Sequence, residues 1–137
     1  MLRERERDTE RVKESDTDKK ETVVATWYRD ELRKATTPLI EKWKPLLGVE
    51  VNQIFIQRMK TKWGGCNPIK RNIRLNSELA KKPRECLEYI VVHEIMHLLE
   101  PTHNDVFISL MDNYMPQWRH YRDELNRFPL SHEDWDY

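Results

Sequence analysis

From Thr22 onward, apolar residues recur at spacings of three and four: Val24, Tyr28, Leu32, Ala35, Leu39, Trp43 and Leu46. One stripe of that period predicts an amphipathic helix packed along a single side. Pro38 is expected to kink the helix or split it, with Thr36 or Thr37 capping the second part, and Gly48 is expected to end it. Trp27, Tyr28 and Trp43 are read as core. The pattern then becomes extended. Val49 to Lys62 carries Val51, Ile54, Phe55 and Ile56, and Ile69 to Asn76 carries Ile73 and Leu75 on one face. Trp63-Gly64-Gly65-Cys66-Asn67-Pro68 between them has the composition of a turn, which predicts an antiparallel hairpin. Ser77 to Lys82 reads as a connector of one helical turn.

The longest apolar run, Leu87 to Leu99, follows Pro83, a residue suited to the first turn of a helix. A helix apolar on most sides is buried, which makes this one the central element. Glu100-Pro101 ends it. Asn104 is the expected N-cap of a short helix carrying Phe107, Leu110, Met111 and Tyr114, with Asp105 in its first turn. Pro116 opens another, with Trp118, Tyr121, Leu125 and Phe128 on one face. Residues 1–21 hold only Met1, Leu2 and Val12 as apolar residues. Too little surface can be buried there to offset ordering entropy, so a disordered tail or a frayed, solvated helix is expected. Residues 129–137 are expected to be a loose acidic tail. Residues 22–128 are left as one α+β domain: a backing helix, a short antiparallel hairpin or sheet, a central helix and C-terminal helices.

The length, 137 residues, fits one domain. Charged residues make up 35% of the chain, yet lysine plus arginine equals aspartate plus glutamate at 24 each. That balance gives no general argument for nucleic acid or membrane binding. No stretch has the length of a membrane-spanning helix, and the charged N-terminus has no apolar core of a signal peptide. Two cysteines, Cys66 and Cys86, are too few for a disulfide framework, so a cytoplasmic location is the default expectation.

Chemistry concentrates in His93-Glu94-Ile95-Met96-His97, with His103 six residues further on. On a helix, His93 and His97 lie one turn apart on the same side. Two imidazoles at that spacing can share one zinc ion, and Glu94 between them can reach a bound water. A turn at Pro101 would bring His103 back as third ligand, leaving one position open as catalytic zinc requires. The alternative is a pair of inert, hydrogen-bonded histidines on a core helix. That alternative leaves Glu94 buried between Val92 and Ile95 without a partner, which is costly. His120 and His132 are isolated and read as surface residues. Cys66 reads as a packed turn cysteine, the competing idea being a thiolate that approaches the metal. Trp63 reads as a packing anchor.

Several segments together carry a family resemblance: Arg58-Met59-Lys60-Thr61-Lys62-Trp63-Gly64-Gly65-Cys66, then Ile73-Arg74-Leu75-Asn76, Leu79, Pro83, Tyr89 to Glu94, His97-Leu98 and His103-Asn104 with Phe107. In this order they resemble the YgjP-like metallopeptidase domain, a relative of the SprT-like and WLM zinc proteases. Gly65 and Asn104 stand where serine is usual. The resemblance implies a small zincin-like core of the gluzincin kind, one zinc ion on His93, His97 and His103, and Glu94 as catalytic acid and base. The histidine spacing equals that of the metzincins, but Glu100 replaces their turn glycine. Preceding a proline, it should be extended rather than left-handed, which argues against that group.

The expected function is zinc-dependent hydrolysis of peptide bonds in a peptide or protein substrate, with the substrate-binding residues unassigned. An exposed strand edge through Lys60 to Trp63 could hold an extended peptide. Two alternatives remain open. Lys60, Lys62, Lys70, Arg71 and Arg74 form a basic cluster beside which the site could act on a nucleotide phosphoanhydride, or near nucleic acid. The third possibility is a non-catalytic metal-binding interaction domain.

Overall fold

The structure is a computed structural model that describes residues 12–127 and residue 135, with side chains described from Val23. Residues 1–11, 128–134 and 136–137 lie outside the described residues, and with them parts of both expected tails, Phe128 and His132. Helix α1 spans Val12–Leu47 and passes through Pro38 and Pro45 without a break. Both prolines are on the solvent side, where water can take the carbonyls that lose an amide partner. The split expected at Pro38 does not occur. Thr37 instead donates its hydroxyl back to the Arg33 carbonyl at 3.0 Å, and Thr36 is buried mid-helix.

The ridge that α1 buries is Leu32, Thr36, Ile40, Trp43 and Leu47. It is rotated from the expected stripe. Tyr28, Ala35 and Leu39 only flank it, and Leu46 and Val24 are exposed. Trp27, read as core, is 56% exposed, because that end of the helix presents Val23, Val24 and Trp27 to solvent. Gly48 ends the helix as expected. Its φ of 67° is the left-handed conformation glycine adopts without penalty, and Val49 N–H reaches back to the Lys44 carbonyl at 3.1 Å.

Strands β1 (Gln53–Gln57), β2 (Gly64–Asn67) and β3 (Asn72–Asn76) form one sheet in the order β1-β3-β2. The expected antiparallel hairpin exists, but between other partners. β3 pairs antiparallel with β2, the stretch read as a turn, and parallel with β1. The actual turn follows β2, where Asn67 accepts from Lys70 N–H at 3.1 Å and Arg71 takes a φ of 58°. Register places Ile56, Leu75 and Gly64 in one inward row and Ile54, Ile73 and Cys66 in the next. Phe55, Arg74 and Gly65 form a row on the outer face.

A 3-10 turn, Ser77–Lys81, leads to α2 (Arg84–Met96), which begins after Pro83 as expected. From Cys86 to Met96 only Glu88 escapes burial, so α2 is the centre of the molecule. Helices α3 (Asp105–Tyr114) and α4 (Trp118–Asn126) complete the α+β fold. No helix among the described residues is long and apolar enough to cross a membrane.

Glu88 ties α1 to α2 by accepting from Lys42 and from the Trp43 indole, each at 2.8 Å. Partial burial opposes its charge, but these hydrogen bonds outweigh it and hold the carboxyl below its ordinary range. Such a group stabilises the fold above its unfolded pKa, and its contribution is lost as pH falls through the folded value. Glu88→Gln should therefore cost about 1 kcal/mol at pH 7. Urea denaturation repeated at progressively lower pH should show wild type and variant converging.

Candidate metal centre

His93 and Glu94 lie in the last turn of α2, and His97 caps it with backbone still in the helical region. All three side chains are buried, at 0%, 2% and 8% exposure. The chain turns after His97, and His103 returns from the loop ahead of α3, placing its Nε2 3.0 Å from that of His93. The three ring centroids lie 4.5 to 5.0 Å from one another. One nitrogen from each ring falls within a 4.8 Å cluster that could hold a metal ion. Among the described residues Cys66 is not in this group.

The loop between His97 and α3 is built on Glu100. Its backbone carbonyl faces His97 Nδ1 at 3.1 Å. A carbonyl only accepts, so Nδ1 carries the proton and Nε2 remains available as a ligand. The Glu100 carboxylate accepts from Asn104 at 2.8 Å and from Thr102 at 3.3 Å, holding the residues on both sides of His103. Asn104 caps α3 through the Phe107 N–H at 3.0 Å. That cap places the buried Phe107 ring 4.7 to 5.0 Å from all three imidazoles. On the other side, the Trp135 ring lies 5.2 Å from His93 and its indole donates to the Tyr89 hydroxyl at 2.9 Å.

Burial shifts Glu94, His97, His103 and Cys66 toward their neutral forms. The Glu94 carboxyl is pushed up to about 8 by desolvation, which the charge of Lys62 opposes. Desolvation lowers His97, and desolvation together with His97 brings His103 down to about 4. Neutral imidazoles are the form that binds metal. Cys66 is pushed up to about 12, first by burial and then by Glu94, so it is a thiol rather than a thiolate.

Glu94 packs against β2. A Cβ at Gly64 would lie 2.8 Å from Glu94 Oε2 and 2.8 Å from Ile90 Cγ2. The glycine pair read as a turn is thus, at Gly64, a point of close approach between strand and helix. Trp63 is buried as the expected anchor, and His120 is exposed. Glu100, Phe107 and Trp135 had no site role in the sequence reading. For Trp135, an aromatic in an acidic segment, no sequence signal existed.

The YgjP-like metallopeptidase domain model matches residues 1–128 of this chain. The chain belongs to the YgjP-like metallopeptidase family. No curated protein matches it. Two solved structures share the YgjP-like chain's fold. The metallopeptidase zymogen abylysin of Pyrococcus abyssi is 22% identical with a TM-score of 0.60, over 66% of this chain and 92% of that one. The metallopeptidase zymogen jannalysin of Methanocaldococcus jannaschii is 20% identical with a TM-score of 0.55, over 70% and 94%.

Two substitutions probe how this YgjP-like site is held. Gly64→Ala forces a methyl group between Glu94 and Ile90 and should cost about 1–3 kcal/mol, read by denaturant titration. Phe107→Leu keeps an apolar side chain but withdraws the ring from the imidazoles. A zinc competition titration should show affinity reduced about tenfold, with the helical circular-dichroism signal retained.

Proposed function

We propose that the chain is a zinc-dependent peptidase in which His93, His97 and His103 hold one ion and Glu94 moves the proton. The observation that carries this reading is the convergence of three imidazoles beside a buried carboxyl group, in a chain of a metallopeptidase family. The donor set fits the ion: three nitrogens, an outer hydrogen bond that fixes one ring, and no fourth ligand in the described cluster. A zinc ion bound there would supply a Lewis acid and bring the pKa of water in its open position toward neutrality.

The remaining chemistry belongs to the chain. Glu94 Oε2 lies 4.0 Å from His93 Nε2, close enough to face the same water. A cation at the imidazoles favours the charged carboxylate, opposing the burial that favours the acid. As carboxylate it takes the proton of the attacking water; as acid it returns that proton to the leaving amine.

A peptide is favoured by the backbone of β2. Asn76 N–H donates to the Trp63 carbonyl at 2.9 Å, and antiparallel pairs alternate from there. Gly64 and Cys66 therefore turn their N–H and C=O groups toward the edge that no strand among the described residues covers, beside Glu94, where an extended chain can pair with them. The expected edge at Lys60 to Trp63 is thus moved to β2. Hydrolysis of a nucleotide phosphoanhydride is the second reading, favoured by Lys62, Lys70 and Arg74 around one cavity next to the site.

Glu94→Gln should retain zinc by elemental analysis while casein hydrolysis falls by about 10²–10⁴. His103→Ala should lose the zinc, and chelation of the wild type should abolish activity that added zinc restores. Undiminished hydrolysis by Glu94→Gln would refute the assignment, and turnover of nucleoside triphosphates but not casein would favour the second reading.

A further inference from the structure

A cavity of about 490 Å³ runs along β2 and the outer face of the sheet. Gly64 and Cys66 are among its lining residues, and Gly64 is also the residue against which Glu94 packs. Its outer part is walled by Lys62, Lys70 and Arg74, all exposed. Among the described residues no aspartate or glutamate lines it. Among the described residues these three cations enter no ion pair, whereas Lys34, Lys42, Lys44, Lys81, Arg119 and Arg127 all do. The Cys66 thiol, held neutral, does nothing to balance them. In a chain whose formal net charge is zero, this is a local excess of one sign around a cavity that shares Gly64 with the site.

We propose that this cavity is a substrate subsite for acidic peptide segments, selecting chains with carboxylate side chains a few residues from the bond that is cut. The inference rests on the peptidase reading and adds the substrate class. A peptide paired along β2 enters the cavity directly, because the same strand forms the open edge and the cavity's inner wall. β2 is four residues long, and at ~3.4 Å per residue it spans roughly 10 Å. Carboxylates placed about one to three residues along β2 from Gly64 would then meet Arg74, level with Gly65, and Lys70, just beyond Asn67. A guanidinium and two ammonium groups suit carboxylates. A nucleic-acid strand is less well served. Among the described residues Phe55 is the only aromatic side chain in the lining, so successive bases would find no stacking platform there.

The test measures binding separately from turnover. A fluorescent alanine-rich peptide with paired aspartates about three residues from its centre is compared with its lysine counterpart, by anisotropy, on the zinc-loaded Glu94→Gln protein and on chelator-treated wild type. The aspartate peptide should bind about three- to tenfold more tightly, with the difference shrinking at high salt. Lys70→Glu/Arg74→Glu should reverse the preference while leaving the thermal midpoint within a few degrees. Equal affinity for the two peptides, a preference that survives the double reversal, or displacement of the peptide by low concentrations of a nucleoside triphosphate or an oligonucleotide would each overturn the proposal. Digestion of a mixed peptide pool by the wild type separates the two readings. Cleavage without acidic bias overturns the subsite and leaves the peptidase standing. Selective binding of the acidic peptide without any cleavage supports the subsite and counts against peptide hydrolysis.

Discussion

Glu94 keeps 2% of its surface in water, and removing a carboxylate from water costs several kcal/mol unless other groups offset it. Its surroundings can be understood as the response to that constraint. The helix that carries it is apolar on nearly every side and fills the middle of the fold, so the carboxyl cannot escape by a local shift. The charge of Lys62 opposes the effect of burial, which still holds the group up to about 8. A cation on the neighbouring imidazoles would relieve the strain, so the carboxyl and the proposed ligands make sense only together.

The ligand geometry depends in turn on the short loop that follows. Glu100 uses its carbonyl to fix His97 and its carboxylate to fix Thr102 and Asn104, which bracket His103. Asn104 then starts α3 in the one orientation that lays Phe107 against all three rings. A chain of local hydrogen bonds thus links the end of one helix to the beginning of the next, and an apolar ring closes the structure behind the imidazoles. The side facing the proposed ion is left to nitrogen donors.

The histidine pair, the third histidine beyond Pro101, the buried helix and the Asn104 cap were all legible in the sequence, because each depends on local spacing or a local hydrogen bond. What was not legible depends on partners distant in the chain. Gly64 and Gly65 have the composition of a turn, and only the approach of Glu94 explains why a strand there must lack a side chain. The parallel pairing of β1 with β3 needs β2 to be recognised as the edge strand. Along α1 the apolar positions are broad enough to allow two adjacent stripes, and the choice between them is made by where the sheet and α2 lie. Pro38 was given too much weight, since on the solvent side water can satisfy the carbonyl it leaves open. Glu100 gave no sign of its role because that role is carried partly by its backbone.

The bare backbone of Gly64 has a consequence for how the molecule can diversify. The wall closest to Glu94 cannot accept even a methyl group without disturbing the interior, so that position is closed to change. Lys70 and Arg74 stand on exposed ground along the same groove, where replacements disturb little. Such an arrangement sets a wall that tolerates no added atom beside a rim that does, so the groove's preference can be altered without touching the interior.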